Sequence, residues 1–134
     1  MKILILCTGN SCRSQMAHGI LQALDKNLEV HSAGTHPAAQ VNPLAIDALA
    51  EIGIDISSHT PQNVNAYSDQ AWDYLITVCG SANETCPTFT GKVTHRLHID
   101  FDDPSTTNDP NEFRRVRNQI QQKFTELYLS QISK

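Results

Sequence analysis

Charge is scarce in this chain: Asp, Glu, Lys and Arg make up 18% of 134 residues, and the net formal charge is -4. The ten Lys and Arg are scattered, so no basic face is available to neutralise a nucleic-acid backbone, and any anion site must be local. Long apolar runs are missing as well. The first, residues 3–6, is too short for a signal-peptide core or a membrane span, which excludes a membrane role and leads us to expect a cytoplasmic chain. There is no internal repeat, low-complexity tract or Pro/Gly-rich linker, so residues 1–134 are expected to form one domain, and we expect a monomer. Cysteine is limited to four residues. In a reducing compartment these are not structural disulfides, which leaves catalytic, redox, metal-binding or buried apolar roles.

What the chain does have is 40% hydrophobic residues arranged as short apolar runs alternating with longer helical periods, the pattern of an α/β sandwich. Residues 3–6 read as a buried central strand. Met16, Ile20, Leu21 and Leu24 repeat at helical spacing and predict a helix over residues 14–25, followed by a strand over 28–31. Asn42 and Pro43, then Leu44, Ile46, Leu49 and Ile52 with Gly53 beyond, read as a cap, a first-turn proline, an apolar stripe and a terminating glycine. Thr60-Pro61 is able to start a short helix in the polar stretch 57–69. Strands are expected over 74–78 and 93–99, and a capping-box-like start at Asp109-Pro110-Asn111-Glu112 opens a last helix carrying Phe113, Val116, Ile120, Phe124 and Leu127. Right-handed crossovers then give a four-stranded parallel sheet covered on both faces, with ligands bound beyond the strands' carboxyl ends. Loops 7–14, 79–87 and 100–104 should share that end.

The first loop reads Cys7-Thr8-Gly9-Asn10-Ser11-Cys12-Arg13-Ser14, a Cys and an Arg six positions apart between a strand and a helix N-terminus. The spacing carries little by itself; its setting carries more. Backbone N–H groups of residues 8–13 and the positive end of the helix dipole can converge on a tetrahedral oxyanion, with Gly9 expected to let the backbone curl. Arg13 adds a permanent charge and a planar fork of donors. The same field favours the thiolate of Cys7, the reactive form, and Ser14 is placed to hydrogen-bond it. A buried Cys at a strand end with a surface Arg is the competing reading, and Cys12 is read as a packed residue rather than a second catalyst.

Residues 7–16 resemble the signature loop of the low-molecular-weight tyrosine phosphatases and thioredoxin-coupled arsenate reductases. His31-Ser32-Ala33-Gly34, Asn42-Pro43, Gly53-Ile54-Asp55-Ile56-Ser57-Ser58-His59-Thr60 and Asp102-Asp103-Pro104 resemble further blocks of these families in the same order. The resemblance implies a three-layer sandwich around a four-stranded parallel sheet, and it makes Asp103 the general acid that protonates a departing oxygen. Neighbouring Asp100 and Asp102 are expected to help it hold a proton by like-charge repulsion.

Three features favour the reductases. Ser105, Thr106 and Thr107 follow Asp-Pro where the phosphatases carry aromatic residues, and Gln15 replaces their usual proline. The segment from Cys79 to Cys86 also resembles the two-thiol segment of the reductases. By that resemblance Cys7 attacks arsenate, Cys79 attacks Cys7, and Cys86 attacks Cys79 to leave a disulfide that thioredoxin reduces. No cofactor is implied. A zinc site built from Cys79 and Cys86 or from His95 and His98 lacks the usual ligand spacing, and His18 and Asn65 stand where some reductases have carboxylates that help bind potassium, so no metal is assigned. The competing functions are a phosphatase using Cys7 and Asp103, and a nonenzymatic oxyanion-binding or redox-sensing protein.

Overall fold

The computed structural model describes residues 1–79 and 89–133. Along the chain come β1 (Lys2–Cys7), α1 (Arg13–Leu24), β2 (Glu29–Gly34), α2 (Pro43–Ala50), a 3-10 turn (Val64–Tyr67), β3 (Trp72–Thr77) and β4 (Val93–His98). A second 3-10 turn (Pro104–Thr106) leads into α3 (Pro110–Leu127), which runs on as a π-helical turn (Tyr128–Ile132) that was not foreseen. The strands pair in parallel in the order β2-β1-β3-β4.

β1 alternates its side chains between two cores because successive residues of a strand point to opposite faces. Ile3, Ile5 and Cys7 join Tyr74 and Ile76 under α1, α2 and α3, which contribute Met16, Leu21, Leu49, Phe113, Ile120 and Phe124. Leu4 and Leu6 join Ala33, Trp72, Leu75 and Phe89 on the other face, where Val64 and Tyr67 of the first 3-10 turn pack. Burial on both faces explains the unbroken apolar run in β1. β1 also lies between strands reached by crossovers in opposite directions, so the loop after Cys7 sits at the switch point of the sheet, where such folds bind ligands.

Caps set several element boundaries. The Asn42 side chain accepts from Leu44 N, Pro43 occupies the first turn of α2, and Gly53 follows with φ +80, all as the sequence leads one to expect. At α3 the Asp109 side chain accepts from Asn111 N, but Glu112 does not close a capping box. Its carboxylate is engaged by Arg115 at 2.7 Å, while Asp109 N donates to Thr107 Oγ1.

The helical turn expected from Thr60-Pro61 begins instead at Asn63, which accepts from Asn65 N. Gly34 N donates to Gln62 O, and Gly34 bridges Asn63, which holds residues 62 and 63 extended beside β2 and delays the turn. β2 likewise continues past His31 to Gly34, because the small residues Ser32 and Ala33 are buried without supplying an apolar alternation. Among the described residues no helix is long and apolar enough to cross a membrane.

Candidate active site

β1 ends in a buried thiol, and the chain then turns so that its carbonyls are tied outward. Thr8 O accepts from His36 N, Gly9 O from Ala38 N and Ser11 O from Asn42 N, all at 2.9–3.0 Å. Fixing the carbonyls on the outside of the curve leaves the loop's N–H groups for the inside. α1 starts at the end of this loop with no side-chain cap bond and no acidic residue in its first turn, so the positive end of its dipole is not compensated locally. Backbone N–H groups, the helix terminus and Arg13 therefore surround one cleft, lined by residues 7–13 together with Asp103, Ser105 and Thr106.

The curl is made by a different residue from the one expected. Gly9 does not adopt a positive φ; Asn10 does, at 49°, and Asn10 is fully buried. Asn tolerates the left-handed region better than most residues, and here its amide is held at both ends. Asn10 Oδ1 accepts from Gln62 N at 2.9 Å and from Gln15 Nε2 at 3.1 Å, which orients Nδ2 to donate to Ser14 Oγ at 2.8 Å. Ser14 Oγ lies 3.0 Å from Cys7 Sγ, and Asn10 N donates to the same sulfur at 3.3 Å. With Asn10 already donating to it, the Ser14 hydroxyl is free to direct its own proton at the sulfur. Two donors thus converge on a buried sulfur beside a helix N-terminus.

The glycine that the loop does require is Gly34, on the neighbouring strand. A Cβ at that position would stand 2.3 Å from Thr8 O, so any side chain would push the loop away. Nothing in the composition marks this glycine; its need becomes visible only from the pairing of Cys7 with Gly34.

Arg13 is buried, with Nη1 donating to Phe101 O at 3.4 Å and Nη2 3.6 Å from Asp103 Oδ2. This brings two of the three expected loops together beyond the carboxyl ends of β1 and β4. Asp103 is a third exposed, and Ser105 N and Ser105 Oγ donate to its Oδ1 at 3.0 and 2.7 Å. Of its acidic neighbours, Asp102 pairs with Arg115, which offsets the repulsion expected from that carboxylate, and Asp100 contacts His98.

Cys12 is buried beside the loop, and burial pushes its thiol up to about 11, a packed and unreactive group as the sequence suggested. Cys79 is buried just beyond β3 in the same core cluster as Cys7 and Cys12. Cys86 and most of the 79–87 loop lie outside the described residues.

Beneath the cradle, Gln15 Oε1 accepts from His59 Nδ1 at 2.9 Å, and the His59 ring lies 4.5 Å from that of His18, whose Nδ1 is 2.9 Å from Ser32 Oγ. Burial holds His18 down at about 3, reinforced by His59 and His31, and burial also lowers His59. Both rings are thus neutral at neutral pH. The small cavity beside them is lined by Gln15, His18, Ser32, His59, Thr60 and Gln62 among others, with no carboxylate among the described residues. Asn65 is not in that lining. Neither His95, stacked on Tyr74, nor His98, bonded to Thr77, takes part in a metal-ligating group of three among the described residues.

A thiol in an N–H-lined cradle, with a buried Arg and a facing carboxyl group, defines a cysteine-dependent oxyanion enzyme. The chain belongs to the low molecular weight phosphotyrosine protein phosphatase family, which it matches over residues 2–134. Within that family it is similar to proteins named arsenate reductase. Arsenate reductase 2 of Staphylococcus saprophyticus subsp. saprophyticus is 42% identical over 127 residues, 94% of this chain and 95% of that protein. A solved structure described as an arsenate reductase in the phosphate binding state superposes with a TM-score of 0.81 at 31% identity, covering 96% of each chain. The thioredoxin-dependent arsenate reductase of Corynebacterium glutamicum does so with a TM-score of 0.71 at 29% identity, over 99% of this chain and 63% of that one.

Proposed function

We propose that this chain is a single-domain, cytoplasmic, monomeric enzyme that reduces arsenate to arsenite, with thioredoxin as its electron donor. The observation that carries the reading is the pair of buried thiols at the ends of adjacent strands, Cys7 inside the oxyanion cradle and Cys79 beyond β3. A hydrolytic phosphatase needs only the first. Ser105 and Thr106 wall the cleft where a phenol-binding site would need aromatic surface, which also favours a small inorganic oxyanion.

In the first step the Cys7 thiolate attacks arsenic, an S–As bond forms, an As–O bond breaks, and Asp103 gives its proton to the departing oxygen, which leaves as water. Arg13 and the N–H groups of residues 8–13 hold the remaining oxygens, while Ser14 and Asn10 hold the sulfur. The Cys79 thiolate then attacks Cys7 Sγ. An S–S bond forms, the S–As bond breaks with its electron pair remaining on arsenic, and arsenite leaves. Cys86 attacks Cys79, expelling Cys7 as thiolate, and thioredoxin reduces the Cys79–Cys86 disulfide. The contacts that stabilise the Cys7 thiolate also make it the better leaving group in this last exchange.

Arsenite formation with thioredoxin, thioredoxin reductase and NADPH tests the proposal, with glutaredoxin and glutathione as the comparison donors. Sustained arsenite production with thioredoxin supports it. Aryl phosphate hydrolysis without any reductant, and no arsenite, would make the chain a phosphatase instead.

A further inference from the structure

The 101–106 segment is fastened on both sides of Asp103, whose Oδ1 caps the 3-10 turn and whose Oδ2 is left for the cleft. Phe101 is buried in the core and stacks on Phe124, Asp102 pairs with Arg115, and Pro104 is buried. Thr106 Oγ1 donates to Asp103 O, and Thr107 Oγ1 donates to Pro104 O. The backbone at residue 103 is thereby placed, and what remains to be set is which carboxyl oxygen faces the cleft.

We infer that Ser105 is a positioning residue for the acid step, directing the transferable proton of Asp103 to Oδ2. Ser105 N and Oγ both donate to Oδ1, at 3.0 and 2.7 Å, and together they occupy that oxygen's two lone-pair directions. A proton carried by the carboxyl group therefore sits on Oδ2, the oxygen 3.6 Å from Arg13 Nη2 and turned toward the oxyanion cradle. When the As–O bond breaks, the proton passes from Oδ2 to the leaving oxygen. The carboxylate left behind keeps both Ser105 donors, which strengthen as charge develops on the group they touch. The backbone donor alone would leave Oδ1 with an open lone pair and allow the proton to reside on the wrong oxygen.

The inference rests on the assignment of Asp103 as general acid, and the test separates the two. Single-turnover formation of the first Cys7–arsenic adduct, followed by quenching and mass analysis, is measured for the wild type, Ser105→Ala, Ser105→Thr, Asp103→Asn and the double variant Asp103→Asn/Ser105→Ala. Ser105→Ala is expected to slow this step by about tenfold, the effect of one hydrogen bond to a charged group, with oxyanion affinity changed less than about twofold. Ser105→Thr, which keeps the hydroxyl, restores the rate. In the Asp103→Asn background the Ser105→Ala change has no further effect, because the group it serves is gone.

A wild-type rate for Ser105→Ala beside a slow Asp103→Asn overturns the inference and spares the acid. Additive losses in the double variant, or loss of oxyanion affinity in Ser105→Ala, would also overturn it by giving Ser105 a role independent of Asp103. A wild-type rate for Asp103→Asn removes the acid itself and the inference with it.

Discussion

The Ser14 hydroxyl lies 3.0 Å from the Cys7 sulfur and accepts a hydrogen bond from Asn10 Nδ2 at 2.8 Å, so the side chain that shapes the loop also directs a proton at the nucleophile. Replacing Ser14 by Ala removes one donor from the sulfur anion. The expected result is a slowing of about 10- to 100-fold in adduct formation, with little change in the folded structure. Rapid-quench single-turnover rates measure it; a rate equal to the wild type would show that Ser14 does not act on Cys7.

Arg13→Lys keeps the charge but loses the fork that reaches Phe101 O with one nitrogen and Asp103 with the other. We expect oxyanion affinity to fall by about tenfold or more, and the chemistry to slow with it. Arsenate or phosphate titration followed by calorimetry reads the affinity directly. Equal binding would mean that point charge alone serves the site.

Gly34→Ala tests the contact between the second strand and the cradle. The added methyl would meet Thr8 O at 2.3 Å, so either the loop shifts or the strand does. A loss of about 2 kcal/mol in unfolding free energy, together with weaker oxyanion binding, is expected from overpacking at this point. Urea denaturation and the same titration check both parts, and retention of both would show that the approach is not as close as described.

How much of this was legible in the residues varies with the physical source of each feature. The apolar run of β1, the Asn42-Pro43 cap and the stripe of α3 are local patterns, and each was found where it was expected, within a residue or two. Cys7, Arg13 and Ser14 were readable because one short loop holds them all. The sequence places Asn10 in the cradle but points to Gly9 for the curl, since it shows which residue is flexible more readily than which one takes the positive φ found at Asn10. In the sequence Ser105 stands out only as a missing aromatic, and its contact with Asp103 becomes visible in the fold. Gln62 and His59 contribute through contacts 52 and 44 residues away along the chain, to Asn10 and Gln15 respectively, and no local pattern carries such pairings. The pairing of Asp102 with Arg115, 13 residues on, is likewise outside any local pattern, whereas the contact of Asp100 with His98 is local.

The half-buried His18 and His59 set a pH dependence whose sign follows from their depressed titration. A group that titrates lower when folded contributes stability above its unfolded value and loses it as pH falls toward the folded one, here from 6.5 to about 3 for His18. Between about pH 7.5 and about pH 5.5 the His18 contribution should decline by about 1.4 kcal/mol. His18→Gln, which offers an amide in place of the ring beside Ser32, should show a correspondingly shallower slope. Urea midpoints at the two pH values decide it, and identical slopes for the two proteins would mean that His18 is not held neutral by the fold.

The relay of three thiols is tested most directly in Cys86→Ala after a single exposure to arsenate. Without Cys86 the disulfide between Cys7 and Cys79 has no internal route to resolution, so the enzyme should release one arsenite per molecule and stop. Peptide mapping under non-reducing conditions should then find Cys7 joined to Cys79, with thioredoxin supporting little further turnover. Continuous arsenite production at the wild-type rate, with no Cys7–Cys79 linkage in the mapped peptides, would contradict the account.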